Sequence, residues 1–111
     1  MKRINIFAMT DYRQPGLGAC HVINRKKYDT ETADLEWKKI YDDDDLCQTV
    51  GIALFRKKNG EYFKYETLFA RCSATEWIEP TLSPLTENQA KDLTEKYSPE
   101  DYEDIFGEVE E

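Results

Sequence analysis

The sequence predicts a single α+β domain spanning residues 1–111: a small antiparallel sheet built on a central hairpin, one helix near 31–41 and two C-terminal helices. Three observations predict it. Two β-prone stretches, 50–58 and 61–69, flank Asn59-Gly60, the strongest short-range hairpin signal. Thr86-Glu87-Asn88-Gln89 has the form of a capping box and opens a segment of helical periodicity. Finally, 111 residues that are 40% hydrophobic and 34% charged suffice for one core and fall short of two domains.

Taken in chain order, Ile4 to Met9 has the composition of a short strand, and Gln14-Pro15-Gly16-Leu17-Gly18 supplies the residues that break regular structure. Cys20 to Asn24 is a second apolar stretch, and Lys26 to Thr30 looks like the exit of a strand into a helix start. From Ala33, the residues Trp37, Ile40 and Tyr41 follow at i+4, i+7 and i+8, a helical stripe from which Leu35 deviates. Four like charges at Asp42, Asp43, Asp44 and Asp45 then bury poorly and predict an exposed loop.

A two-residue type I′ turn at Asn59-Gly60 pairs Lys58 with Glu61, Arg56 with Phe63, Leu54 with Tyr65, Ile52 with Thr67 and Val50 with Phe69. That register makes one face largely apolar. The other, with Lys57 opposite Tyr62, Phe55 opposite Lys64 and Ala53 opposite Glu66, suits solvent or partial cover. Downstream, Leu85 and Ala90 are spaced as a hydrophobic staple, and Ala90, Leu93 and Tyr97 form the buried stripe of the first C-terminal helix. Ser98 as N-cap and Pro99 at the first turn start the second helix, whose apolar face is Tyr102, Ile105 and Phe106 and whose end is Gly107.

The formal charge of −8 is concentrated in one region. Residues 85–111 carry ten acids and two lysines, whereas residues 1–84 balance. Such a surface repels nucleic acid and attracts basic proteins, although Arg25, Lys26 and Lys27 form a local basic cluster. No apolar run approaches the roughly 18–20 residues of a membrane span, and no secretory leader is recognisable at the start. Cys20, Cys47 and Cys72 are odd in number and widely spaced, which suits neither a closed disulfide framework nor a four-cysteine zinc site and predicts a reducing cytoplasm.

No constellation carries catalysis. Cys20 and His21 are adjacent, so in a strand they face opposite ways and cannot form a thiol–imidazole dyad. The four aspartates offer oxygen ligands but lack the alternating register, glycine and late glutamate of a calcium loop, so no metal and no cofactor is expected. Gly16 and Gly18 precede no Lys-Ser/Thr pair and are turn residues rather than a phosphate loop. Tyr62, Phe63, Tyr65 and Phe55 among lysines echo a nucleic-acid-binding sheet, yet its glycine-flanked signature is missing and core packing explains the rings.

The acids remain. In the first C-terminal helix, Glu87 and Lys91, and Asp92 and Lys96, are i,i+4 pairs that neutralise locally. In the second, Glu100, Asp101, Glu103, Asp104, Glu108, Glu110 and Glu111 have no base among them, and the helix dipole accounts only for the first two. Duplex DNA carries about one charge per 1.7 Å, a density that clustered carboxylates can match. The segment is therefore either a solvated face or a binding surface for a basic partner, with Asp42, Asp43, Asp44 and Asp45 as a second acidic contact.

The order of segments Lys26 to Ala33, Ala53 to Phe63, Leu85 to Ala90 and Asp101 to Gly107 resembles a family of small acidic proteins encoded by bacterial phages and integrative elements. The resemblance covers about residues 26–107, and its motifs are architectural, so no catalytic residue carries over. It implies an inhibitor of the anti-CRISPR kind, acting in the bacterial host cytoplasm, that occupies the nucleic-acid-binding surface of a Cas effector such as Cas9 with carboxylates. The alternative is a non-enzymatic regulatory module of a mobile element with an unrelated protein partner.

Overall fold

The computed structural model describes residues 19–70 and 76–109. The expected strand at Ile4 to Met9, the loop at Gln14 to Gly18, Cys72, Glu110 and Glu111 lie outside the described residues. The elements are β1 (Cys20–Ile23), β2 (Lys26–Asp29), β3 (Asp34–Asp43), β4 (Gln48–Arg56), β5 (Tyr62–Ala70), β6 (Glu76–Leu85), α1 (Glu87–Tyr97) and, after a 3-10 turn at Pro99–Asp101, α2 (Tyr102–Phe106). Strands β3 to β6 form an antiparallel sheet in chain order, and β1 pairs with β2 as a separate hairpin. The α+β class agrees with the sequence; the arrangement differs at three places.

The first difference is the segment expected to be a helix near 31–41, which is strand β3, hydrogen-bonded along β4. A bulge between Leu35 and Trp37 shifts the alternation. Beyond it, Trp37 opposite Leu54, Lys39 opposite Ile52 and Tyr41 opposite Val50 share one face, leaving Leu35 and Ile40 on the other. Residues four apart share a face in a regular strand as well as in a helix, so the Ala33–Trp37 spacing does not tell the two apart, and the bulge sends Ala33 and Trp37 to opposite sides of the sheet. Leu35, off the helical stripe, was the residue that betrayed it.

The second is the hairpin register. Strands β4 and β5 pair as expected in kind, but Arg56 lies opposite Tyr62, Phe55 opposite Phe63, Leu54 opposite Lys64 and Ala53 opposite Tyr65, one residue away from the expected pairing. The amide of Gly60 donates to the Lys57 carbonyl at 2.8 Å and that of Lys57 to the Glu61 carbonyl at 2.7 Å, closing a three-residue loop, Lys58-Asn59-Gly60. Gly60, at φ +95°, takes the left-handed position of such a loop. A two-residue type I′ turn does occur, at Asn24-Arg25 between β1 and β2, with φ of 51° and 66°. Because strand side chains alternate, the one-residue shift puts Leu54 and Tyr65 on opposite faces.

The third difference follows from the second: both faces of β4 and β5 are covered. On one, Ala53, Phe55, Phe63, Tyr65 and Leu82 pack against Tyr28 and Ala19 of the β1–β2 hairpin. On the other, Trp37, Ile52, Leu54 and Tyr62 pack against Ala90 of α1, with Leu93, Tyr97, Ile105 and Phe106 at the margin. Burial is continuous from Thr49 to Phe55, as expected of a central strand between two layers. Strand β6 carries Pro80 and Pro84; Pro80 falls at the register shift between Glu66 and Leu68, where a missing amide costs no ladder bond.

Helix α1 begins as expected: the Thr86 hydroxyl accepts the Gln89 amide at 3.1 Å, and the Gln89 side chain accepts the Thr86 amide at 2.9 Å. A buried chain of hydrogen bonds locks it to the sheet. Trp37 Nε1 donates to Thr94 Oγ1 at 2.9 Å, and that hydroxyl donates to the Ala90 carbonyl at 2.8 Å. Thr94→Val keeps the volume but strands the indole donor in a nearly solvent-free position, so it should lower unfolding free energy by about 1–3 kcal/mol in denaturant titration. Unchanged stability would mean that Trp37 is held by packing alone.

Cys47 is disulfide-bonded, which corrects the expectation of three reduced, inert thiols; Cys20 is a free, half-buried thiol. Among the described residues, no helix is long and apolar enough to cross a membrane.

Candidate functional site

The acidic C-terminal segment is mounted on the sheet by aromatic residues. Tyr97 at the end of α1 stacks on Tyr41 of β3, with centroids 5.7 Å apart and planes 20° apart. Phe106 of α2 meets Tyr62 of β5 at 5.6 Å and Tyr102 at 5.1 Å. Alternation around a short helix therefore settles which residues face out: with Ile105 and Phe106 turned to the core, Glu103 and Asp104 are exposed, as are Glu100 and Glu108. Gly107, at φ +97°, ends the helix, its amide donating to the Glu103 carbonyl at 2.9 Å.

Asp101 plays a different part. It is half-buried, and its carboxylate accepts the Ser98 hydroxyl, so it holds the turn between the helices. Ser98 consequently makes no side-chain cap to a backbone amide, contrary to its expected role as N-cap.

The expected i,i+4 ion pairs in α1 are absent. Ion pairs within 4.0 Å engage Asp29, Asp34, Glu36 and Glu61, and among the described residues none uses Glu87, Asp92 or Glu95. Lys91 instead lies over the Phe106 ring at 5.9 Å and Lys96 over the Tyr97 ring at 5.0 Å. Sequence reasoning thus missed Glu87, Asp92 and Glu95 as members of the acidic surface. Tyr97, next to Lys96, was a signal in the sequence; Phe106, beneath Lys91, is fifteen residues away and only the fold brings it there. A groove of about 330 Å³ lined by Glu95, Pro99, Tyr102 and Val109 interrupts this surface with apolar atoms, Val109 being half exposed.

Asp42 to Asp45 form a second group, at the β3–β4 connection. Asp42 and Asp43 end β3 rather than forming a free loop; Asp42 Oδ1 accepts the Thr49 hydroxyl at 2.8 Å, and Asp43 Oδ1 accepts the Leu46 amide at 3.3 Å. Asp44 and Asp45 are exposed in the turn, which Cys47 closes at φ +50°. The Tyr41–Tyr97 stack ties the strand that bears Asp42 and Asp43 to the helix end that precedes Glu100. Among the described residues, no three His, Cys, Asp or Glu side chains gather as a metal-holding group.

The ion-paired lysines lie elsewhere. Lys26 Nζ reaches Glu61 Oε2 at 3.1 Å, Lys57 Nζ reaches Glu61 Oε1 at 3.6 Å, Lys58 Nζ reaches Asp34 Oδ1 at 2.8 Å and Lys27 Nζ reaches Asp29 Oδ2 at 3.7 Å. The hydrogen bond from Lys26, with a second from Asn59, holds the Glu61 carboxyl below its usual range and raises Lys26 in turn. Lys58 does the same for Asp34.

Beneath the helices, burial pushes the Tyr41 phenol up to about 12, helped by its hydrogen bond with Tyr97 and by nearby Glu66 and Asp43. Burial also raises Tyr65, partly offset by a hydrogen bond with Thr67. A phenol raised in the folded state stabilises fully below its unfolded value of about 10, and that stability is lost as pH climbs through the folded value. The fold should therefore weaken between about pH 10 and 12, with phenolate absorbance and loss of circular dichroism rising together. Ionisation of all tyrosines near pH 10 with the fold intact would contradict this burial.

No family model matches the chain, and neither a curated protein nor a solved structure does.

Proposed function

We propose that this protein is a non-enzymatic inhibitor that presents its α1–α2 carboxylates to the basic surface of a nucleic-acid-handling protein, a Cas effector such as Cas9 being the partner, within a bacterial cytoplasm. The observation that carries this reading is the set of exposed acids Glu100, Glu103, Asp104 and Glu108, which have no ion-pair partner among the described residues. None of the ion-paired lysines reaches these acids, so their field is directed outward and can steer a basic partner. Aromatic anchoring of α2 to the sheet fixes their spacing, which lowers the entropy lost on docking.

Capture of the partner from a bacterial lysate, followed by competition with target DNA, tests the proposal. Target DNA should displace the protein in proportion to its affinity for the partner. A second reading, a regulatory module whose partner handles no nucleic acid, is favoured by the apolar groove at Tyr102 and Val109, since interfaces centre on desolvated aromatic anchors. Capture that DNA leaves untouched would select it. The bond at Cys47 would be exposed to reducing thiols in that compartment, so the capture should be run with oxidised and reduced protein.

A further inference from the structure

Strand β2, with the segment just after it, faces the β4–β5 loop across an open cleft of about 500 Å³. Lys26, Lys27, Lys57 and Lys58 line it, against only two carboxylates, Asp29 and Glu61. In a molecule of net charge −8 this is a local reversal of sign. We propose that the cleft binds a compact oligophosphate, a triphosphate group either free or carried by a nucleotide.

Three features support this ligand chemistry. Glu61 is a single carboxylate shared by Lys26, Lys57 and the Asn59 side-chain amide, so an anionic position between the hairpins already exists and is undersupplied with charge. Lys57 is held in place over the Tyr28 ring at 4.4 Å, whereas the side chains of Lys26, Lys27 and Lys58 are 57%, 63% and 74% exposed and paired with Glu61, Asp29 and Asp34. Their present ion pairs are solvent-exposed and weak, so a multiply charged phosphate can replace them. Lysine ammoniums act as point charges suited to phosphate oxygens, and the cleft volume lies within the range of small-ligand sites.

The same geometry limits the ligand. Tyr28, the aromatic ring beside the lysines, is 4% exposed and capped by Lys57, which leaves no platform for stacking a base. The phosphates, not the nucleoside, are what the site recognises. A long nucleic acid would run out of the cleft onto a negative protein, so a short, dense anion is preferred.

The test is a titration of the full chain with sodium triphosphate at low ionic strength, followed by amide chemical shifts, with ATP and a single-stranded oligonucleotide as further arms. Saturable one-site binding is expected, with shifts confined to residues 26–29 and 57–61. ATP should bind with similar affinity and the oligonucleotide more weakly per phosphate. The double variant Lys27→Glu, Lys58→Glu should weaken binding roughly tenfold or more, its fold being checked by its unfolding midpoint. Glu61→Gln removes the internal competitor and should tighten binding roughly fivefold. Shifts spread over all lysines without saturation, binding unchanged in the double variant, weakening in Glu61→Gln, or a preference for the oligonucleotide would each overturn the assignment.

Discussion

Replacing Phe55 by alanine should cost about 3–5 kcal/mol, and replacing Leu54, its immediate neighbour, about 2–5 kcal/mol, as large-to-small changes in a closed core do. Consecutive residues on a strand point to opposite faces, so both can be costly only where both faces are covered. Leu54 is 0% exposed under α1, and Phe55 is 2% exposed under the β1–β2 hairpin, stacked on Phe63 with centroids 5.2 Å apart and planes 8° apart. A small domain is stable by about 5–15 kcal/mol, so either change removes a large share of what holds the fold. Denaturant unfolding of the two single variants decides the matter. A loss below about 1 kcal/mol for Phe55→Ala, with the full loss for Leu54→Ala, would restore the one-sided sheet and the expected register.

Reversing Glu103 and Asp104 to lysine should slow association with the captured partner by at least about tenfold at low salt, because steering charges act mainly on the encounter rate. Both side chains are exposed and outside every ion pair among the described residues, so the unfolding midpoint should stay where it is. The difference between variant and parent should shrink as salt is raised, since the screening length falls to about 8 Å at physiological ionic strength. Glu87, Asp92 and Glu95 join this expectation. Lys91 and Lys96 make no ion pair with these acids, so their reversal should also weaken binding, though less, because both lysine charges stay on the same helix. Affinity and salt dependence that do not respond to reversal would reduce the acidic surface to a solubilising face.

Local chemistry was legible wherever neighbours in sequence settle the outcome. The capping box at Thr86 and Gln89 is closed by atoms three residues apart, and the segment after it is the helix its periodicity promised. Asn59-Gly60 marked a reversal between two strands, and a reversal is there. The concentration of carboxylates in residues 85–111 is a property of composition and needed no fold to be seen.

What the sequence left open depends on contacts between distant residues. Asn-Gly suits a two-residue turn and also the end of a three-residue loop; the choice falls to whichever register stacks Phe55 on Phe63 and seats both beneath Tyr28, many residues upstream. The run Val50-Gly51-Ile52-Ala53-Leu54-Phe55 hinted at a strand buried on both sides, but only the β1–β2 hairpin on one side and α1 on the other make it so. Near 31–41, spacing alone favoured a helix, and pairing with β4 overrode it because the bulge at Leu35–Trp37 lets Trp37 reach Thr94 across 57 residues of chain. The lysine cleft has the same origin: Lys26 and Glu61 are 35 residues apart, and sequence spacing carries no information about which strand a distant loop will face. Propensity and capping are local free energies, whereas register, strand choice and the joining of distant charges are fixed by burial, which only the folded chain defines.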